Sequence, residues 1–540
     1  MQSRNKVFLS YIPLVLLLGA CLIHSVSVPW SDFAGYYFGG KQLLHGDYKS
    51  AYDTNLLNGL IEAQGYKGLI VSYTPFPPFT SLLFAPFDAF PMGTAKLLFN
   101  CCCCALFLFT LSRSRKFFSI PLYIVWLAPV LFFIPLVNNI FFGQAYLLLV
   151  SLLLEGYMAY KREKIVLSSF LWATAILFKL FPVVIFLFLL LRKKYRNGMY
   201  LAAACFLLLI PSLWLNGVPS WKFYLLEIAP RLNKGELNDS FTFMFQSAFM
   251  LLKNIFIDDG LLNPHPAFAN PYLFVIMIAL FKGLIISCCV MLTIRKKEND
   301  LLSFSTWLAA SMLVSPNGSS YSLILLLAPL LALTTDPVGE PARKRSSVIP
   351  WAIVLLILAC NIPVNRFAAA PVWAQYPRLY LLLAFFGLLL MRQEKLFNGK
   401  LFALISALLI ALDIPNYIPR KDASSYFLAR EEHGLIYDFA VKENKLVYYY
   451  RDGSGTRETA TDYAVSSFTG EGLLVQDNQI WYRGKKLTAS PDWKRKAMLV
   501  NGEYILYLSD KHRGVGFFTL RKLRSDGAIT DIQEGTATSR

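Results

Sequence analysis

About thirteen apolar stretches, set apart by short clusters of lysine and arginine, constrain this chain more than any other feature. They fall at residues 7–26, 93–111, 117–136, 145–160, 165–191 (two limbs), 198–215, 271–294, 301–314, 321–334, 348–363, 378–391 and 401–415. A bilayer core of about 30 Å offers the backbone no hydrogen-bond partners, so such stretches must cross it as helices. The composition agrees: 16% of residues are charged, against about 25% in soluble domains. The net charge of +18 comes from the basic clusters, which mark loops on the inner side of the membrane and argue against a nucleic-acid partner.

Arg4 and Lys6 keep the N-terminus inside, and the first stretch reads as an uncleaved anchor. Residues 27–90 and 216–270 then form two large outer loops, and residues 416–540 also lie outside. The segment at 165–191 decides this count. It is apolar except for Lys179 and has basic clusters on both flanks. A single span would put one cluster outside, whereas a hairpin broken at Phe178–Pro182 keeps both inside. Its second limb of about ten residues reaches only ~15 Å, which leaves Lys179 part-way through the membrane. A lysine at that depth is a candidate functional group; snorkelling to the interface is the alternative.

The nine cysteines all fall within apolar stretches. Cys101–Cys104 point in all directions around a helix, so neither a metal site nor a disulfide framework is implied. Residues 416–540 change character. Runs such as Lys445–Tyr450, Gln479–Tyr482 and Tyr504–Leu508, separated by Asp452-Gly453 and Asn501-Gly502, predict antiparallel strands in a small β-rich domain. Ser490–Trp493 followed by Ser509–Gly514 resembles part of a TolB-like propeller blade.

Phosphate-cradling Gly-rich loops, a G-x-S-x-G elbow and an H-E-x-x-H helix are all missing. Asp32 remains, just beyond the first stretch among Trp30, Phe33, Tyr36 and Tyr37, together with Lys179 and several polar breaks on the same side. A helix cap is the plain alternative for Asp32. Taken together, the parts suit group transfer from a lipid phosphate: a cation holds the phosphate, and a carboxylate takes a proton from an acceptor hydroxyl.

The acid followed by Tyr36-Tyr37, Leu44-His45-Gly46 leading to Tyr52-Asp53, Tyr73 to Pro77-Pro78, Gly143-Gln144, Lys179 to Pro182, and Ser315-Pro316 resemble glycosyltransferase family 87 in motif order. The resemblance covers residues 1 to about 335. It implies an all-α polytopic GT-C-like fold, taken here over residues 1–415; the β-rich domain, expected to be periplasmic, lies outside the resemblance. It also implies a polyprenyl-phosphate sugar donor, mannosyltransferase-like chemistry and Asp32 as the base. Where the family continues after Ser-Pro to a Trp and His, Ser319 and Tyr321 stand here.

The resulting expectation is an inverting transferase of a bacterial inner membrane. Lys179, Arg231 and Lys234 would hold the donor phosphate. Tyr36, Tyr37, Tyr73, Asn139, Gln144, Asn238, Ser315 and Tyr321 would contact sugar or acceptor. The partners would be the lipid-linked donor, a glycan or glycolipid acceptor and membrane lipids, with no cofactor and no metal. Asn139 and Asn238 stay open as helix caps. The rival reading is a lipid or glycan flippase, although no internal repeat between halves is visible. A scaffold role stays open for residues 416–540.

Overall fold

The computed structural model describes residues 2–531 apart from 28–30, 53, 67–70, 234, 236–240, 258–262, 264–265, 296–299, 336–341, 392–397, 418–434, 453–454, 477–478, 490–493, 510–518 and 525–528. The described chain is mostly helical up to Asn416 and β-rich from Leu435.

Every apolar stretch of the sequence is helical, but the helices differ in length. Among the described residues five are long and apolar enough to cross a bilayer: Lys6–Ser25, Met92–Phe117, Tyr195–Ile228, Pro271–Ile294 and Gly399–Asn416. Leu122–Leu131 and Phe133–Phe142 add a sixth if their 60° bend lies within one span. Six others, including Ile165–Phe178, Asp300–Val314 and Pro377–Met391, are apolar but have only 10–17 residues. At 1.5 Å per residue these fall short of a ~30 Å core. The chain is thus a membrane protein with five or six full-length candidate spans among the described residues, fewer than the thirteen expected.

The bend at Phe132 has a covalent cause. Pro135 has no N–H to offer the carbonyl four residues back. Asn361 fills the gap, donating its side-chain amide to Val130 O (3.0 Å) and Leu131 O (3.4 Å) and accepting from Ile134 N (3.1 Å). The chain therefore stays helical through Asn138 and Asn139, past the apolar stretch at 117–136, and the helix ends at Gly143 in the left-handed conformation (φ 64°). A second kink falls at Gly217 (φ 77°), inside the Tyr195–Phe223 helix. There Asn216 receives a hydrogen bond from Ser81 Oγ (2.9 Å) and donates to Pro78 O (3.0 Å). Phe206, Leu207 and Trp214 on this helix are exposed, as side chains facing lipid must be.

The chain divides into two compact units. One comprises residues 1–229, 243–249 and 280–410; the other comprises 230–242, 250–279 and 411–540. The second unit contains three antiparallel sheets. A five-stranded sheet runs in the order Ile529–Asp531, Thr519–Arg524, Tyr504–Ser509, Lys494–Val500, Phe468–Thr469. Leu506 and Leu508 of its central strand pack with Phe439, Leu446 and Tyr448 of the sheet formed by Leu435–Ala464. The alternate residues Ile505 and Tyr507 pack with Ile480 of the sheet formed by Leu473–Lys486. A strand covered on both faces buries every side chain, as Tyr504–Ser509 does. Asn501 and Gly502, both at positive φ, make the turn that pairs Val500 with Tyr504. The expected blade motifs at 490–493 and 510–514 lie outside the described residues.

Candidate active site

Asp32 belongs to a one-turn helix, Ser31–Ala34, which runs into a π-turn at Gly35–Gly39. The segment is fixed by close approach. A Cβ on Gly35 would meet Ser72 O at 2.7 Å, and one on Gly39 would meet the Tyr73 ring at 2.5 Å. On the other side, a Cβ on Gly143 would meet Phe33 Cβ at 2.6 Å. The Gly143 turn therefore does two things: it ends a helix, and it lets the next residue reach Asp32.

That next residue is Gln144. Its Nε2 donates to Asp32 Oδ2 at 2.8 Å, and its Oε1 accepts from Tyr36 Oη at 3.0 Å. The amide is thus oriented from both ends, and one carboxylate lone pair is held. Burial pushes the Asp32 carboxyl above the usual carboxylate range, while the Gln144 hydrogen bond and the charges of Lys179 and Lys96 pull it back down. A carboxylate raised in this way is closer in basicity to a working general base.

Lys179 sits in extended backbone (φ −145°, ψ 113°) between Ile165–Phe178 and the short helical turn at Phe181–Val183. Pro182 prevents the first helix from continuing, and Thr80 Oγ1 donates to the Phe178 carbonyl at 3.1 Å. The Lys179 ammonium lies 3.9 Å from the Tyr146 ring centroid and 5.0 Å from that of Phe76. Tyr146 and Tyr321 face each other with centroids 5.3 Å apart, and both are half-buried. Asp32, Gln144, Lys179, Tyr146 and Tyr321 thus form one neighbourhood within one unit.

Several expected sugar contacts are placed elsewhere. Tyr36 is fully buried and stacks on Phe76 (4.2 Å) and Phe84 (4.5 Å), so its ring offers no face to a sugar. Tyr37 is buried and donates to Phe90 O, and Tyr73 is buried and donates to Pro77 O. These three build the wall and do not line its surface. Asn139 is a cap: its amide donates to Pro135 O and Tyr321 O, and its Oδ1 accepts from Tyr146 N. Ser315 closes a local turn by accepting from Asn317 N. Arg231 lies in the helix Ala229–Asn233, but its side chain is outside the described residues, as are Lys234 and Asn238 altogether.

Three residues escaped the sequence reading. Tyr146 and Phe76 gave no signal beyond aromaticity. Lys96 was detectable by the rule that flagged Lys179, as a cation in an apolar helix. Among the described residues no group of three His, Cys, Asp or Glu could hold a metal ion.

The helices define an integral membrane protein. Residues 73–316 match the model of glycosyltransferase family 87. The match supports glycosyltransferase activity for this membrane protein. The matched stretch contains Tyr146, Gln144, Lys179 and Ser315, whereas Asp32 precedes it and Tyr321 follows it. No curated protein matches the chain.

Proposed function

We propose that the protein moves a sugar, with inversion, from a polyprenyl-phosphate donor to a hydroxyl of an envelope glycan or glycolipid. The reaction takes place on the periplasmic face of a bacterial inner membrane, with residues 416–540 forming a separate domain on the same side. Asp32 takes the proton of the acceptor hydroxyl as the new glycosidic bond forms. The bond from the anomeric carbon to the phosphate oxygen breaks, and polyprenyl phosphate leaves with the electron pair. Lys179 balances the negative charge on that phosphate. Tyr146 and Tyr321, the half-buried aromatic pair beside both groups, replace Tyr36, Tyr37 and Tyr73 as the sugar-contacting rings.

The observation that carries this reading is the Asp32 carboxylate held by Gln144 at 2.8 Å in the same unit as Lys179, whose ammonium is seated 3.9 Å from the Tyr146 ring centroid. An acid and a cation in one membrane site suit lipid-phosphate chemistry, and the family match favours transfer over a flippase. Purified protein incubated with a panel of radiolabelled polyprenyl-phosphate sugars should consume one of them. Turnover of nucleotide sugars alone would contradict the proposal.

A further inference from the structure

Lys96 lies in the Met92–Phe117 helix and is 2% exposed. Its Nζ donates to Phe141 O at 2.6 Å and to Ser25 O at 3.5 Å. Phe141 is in the last turn of Phe133–Phe142, where carbonyls lack intrahelical partners and a cation meets the negative end of the helix. That helix end already has a terminator, since Gly143 N donates to Ile140 O in the left-handed turn. Asn100 Nδ2 also donates to Ile140 O, at 2.9 Å. The charge of Lys96 thus exceeds what closing a helix requires. Three residues beyond Phe141 is Gln144, the donor to Asp32, and Lys96 is itself electrostatically coupled to Asp32.

We propose that Lys96 is a positioning residue for Asp32: it anchors the helix end that presents Gln144, and it supplies a second buried positive charge to the carboxylate. This rests on Asp32 being the base. The ionisable groups facing Asp32 are then Lys96 from Met92–Phe117, Lys179 from the break at Phe178–Pro182, and the phenols of Tyr36, Tyr146 and Tyr321. With one cation removed, the carboxylate should hold its proton to higher pH, because an opposite charge favours the ionised form.

The test titrates Asp32 directly in the full-length protein in lipid nanodiscs. The pH dependence of the protonated-carboxyl infrared band identifies Asp32 as the band missing from Asp32→Asn. Lys96→Gln keeps a donor and loses the charge, so its midpoint should rise by about one unit. Lys96→Arg keeps the charge and should stay near the wild type. A folded Lys96→Gln protein with the wild-type midpoint overturns the proposal. So does a Lys96→Arg midpoint raised by about one unit above the wild type, and this arm decides alone if Lys96→Gln does not fold. Transfer assays run in parallel separate the two failures. If Asp32→Asn retains wild-type transfer, the base assignment is what fails. If Asp32→Asn is inactive and the band stays put in Lys96→Gln, only the role of Lys96 fails.

Discussion

Two breaks interrupt apolar helices in the membrane unit, at Phe178–Pro182 and at Ser315–Ser319, and they are built for different ends. The first leaves a cation. Lys179 stands in extended backbone, supported by one hydroxyl contact from Thr80 and seated against Tyr146. The second break carries no charge and is clamped by one backbone and one side-chain hydrogen bond. Gln246 N donates to Gly318 O at 3.2 Å, and Ser247 Oγ donates to Pro316 O at 2.7 Å. Gln246 itself accepts from Arg378 N and donates to Gln375 O. The chain then re-enters a helix at Ser320, next to Tyr321. Polar breaks that look alike in sequence thus divide the labour: one presents a reacting charge, and the other holds a frame from which an aromatic ring projects.

Lys179→Met should break this contrast most sharply. Removing a preorganised charge that stabilises a developing anion typically costs about 10²–10³ in kcat. Steady-state transfer by the purified variant should fall by that much with its thermal midpoint little changed, since the ammonium's recorded contacts are ring faces. A comparable loss of stability would make the first break a frame as well.

Gly318→Ala attacks the second break. Its Cβ would lie 2.7 Å from Gln246 O and 2.8 Å from Gln246 C, both backbone atoms with little room to move. Overpacking of this kind costs about 1–3 kcal/mol. The thermal midpoint in detergent should therefore drop, and activity should fall only to the extent that Tyr321 shifts. An unchanged midpoint would mean that the clamp is slack.

Tyr146→Leu should have the smallest effect of the three. It removes the ring beneath Lys179, a contact worth about 0.5–2 kcal/mol. Donor KM should rise several-fold, whereas Tyr146→Phe should stay near the wild type. A loss as large as that of Lys179→Met would give the tyrosine a role beyond seating the lysine and contacting the sugar.

The membrane character, the β-rich tail and Lys179 were legible because each is a local property: an apolar run, a period-two pattern, a lone charge among apolar residues. Gly143-Gln144 was visible as a motif, but its target lies 112 residues away, and no local pattern records that pairing. The tyrosines misled for a related reason. An aromatic residue near an acid reads as a sugar platform, and only packing shows that Phe76 and Phe84 already cover Tyr36. Asn138 and Asn139 lie past the apolar stretch that ends at residue 136. Their helix persists because Asn361, far along the chain, supplies hydrogen bonds at the bend.

The central claim is that Asp32 removes the acceptor proton, and the most direct measurement compares transfer by the wild type and Asp32→Asn across pH. A base works ionised, so wild-type activity should fall as pH drops through a midpoint that burial has raised above the ordinary carboxylate range. Asn keeps the size of the side chain and cannot take the proton. Turnover should fall by about 10²–10⁴-fold, the acid limb should vanish from what remains, and donor binding should change little. Wild-type turnover with the same acid limb in a folded Asp32→Asn protein would contradict the account.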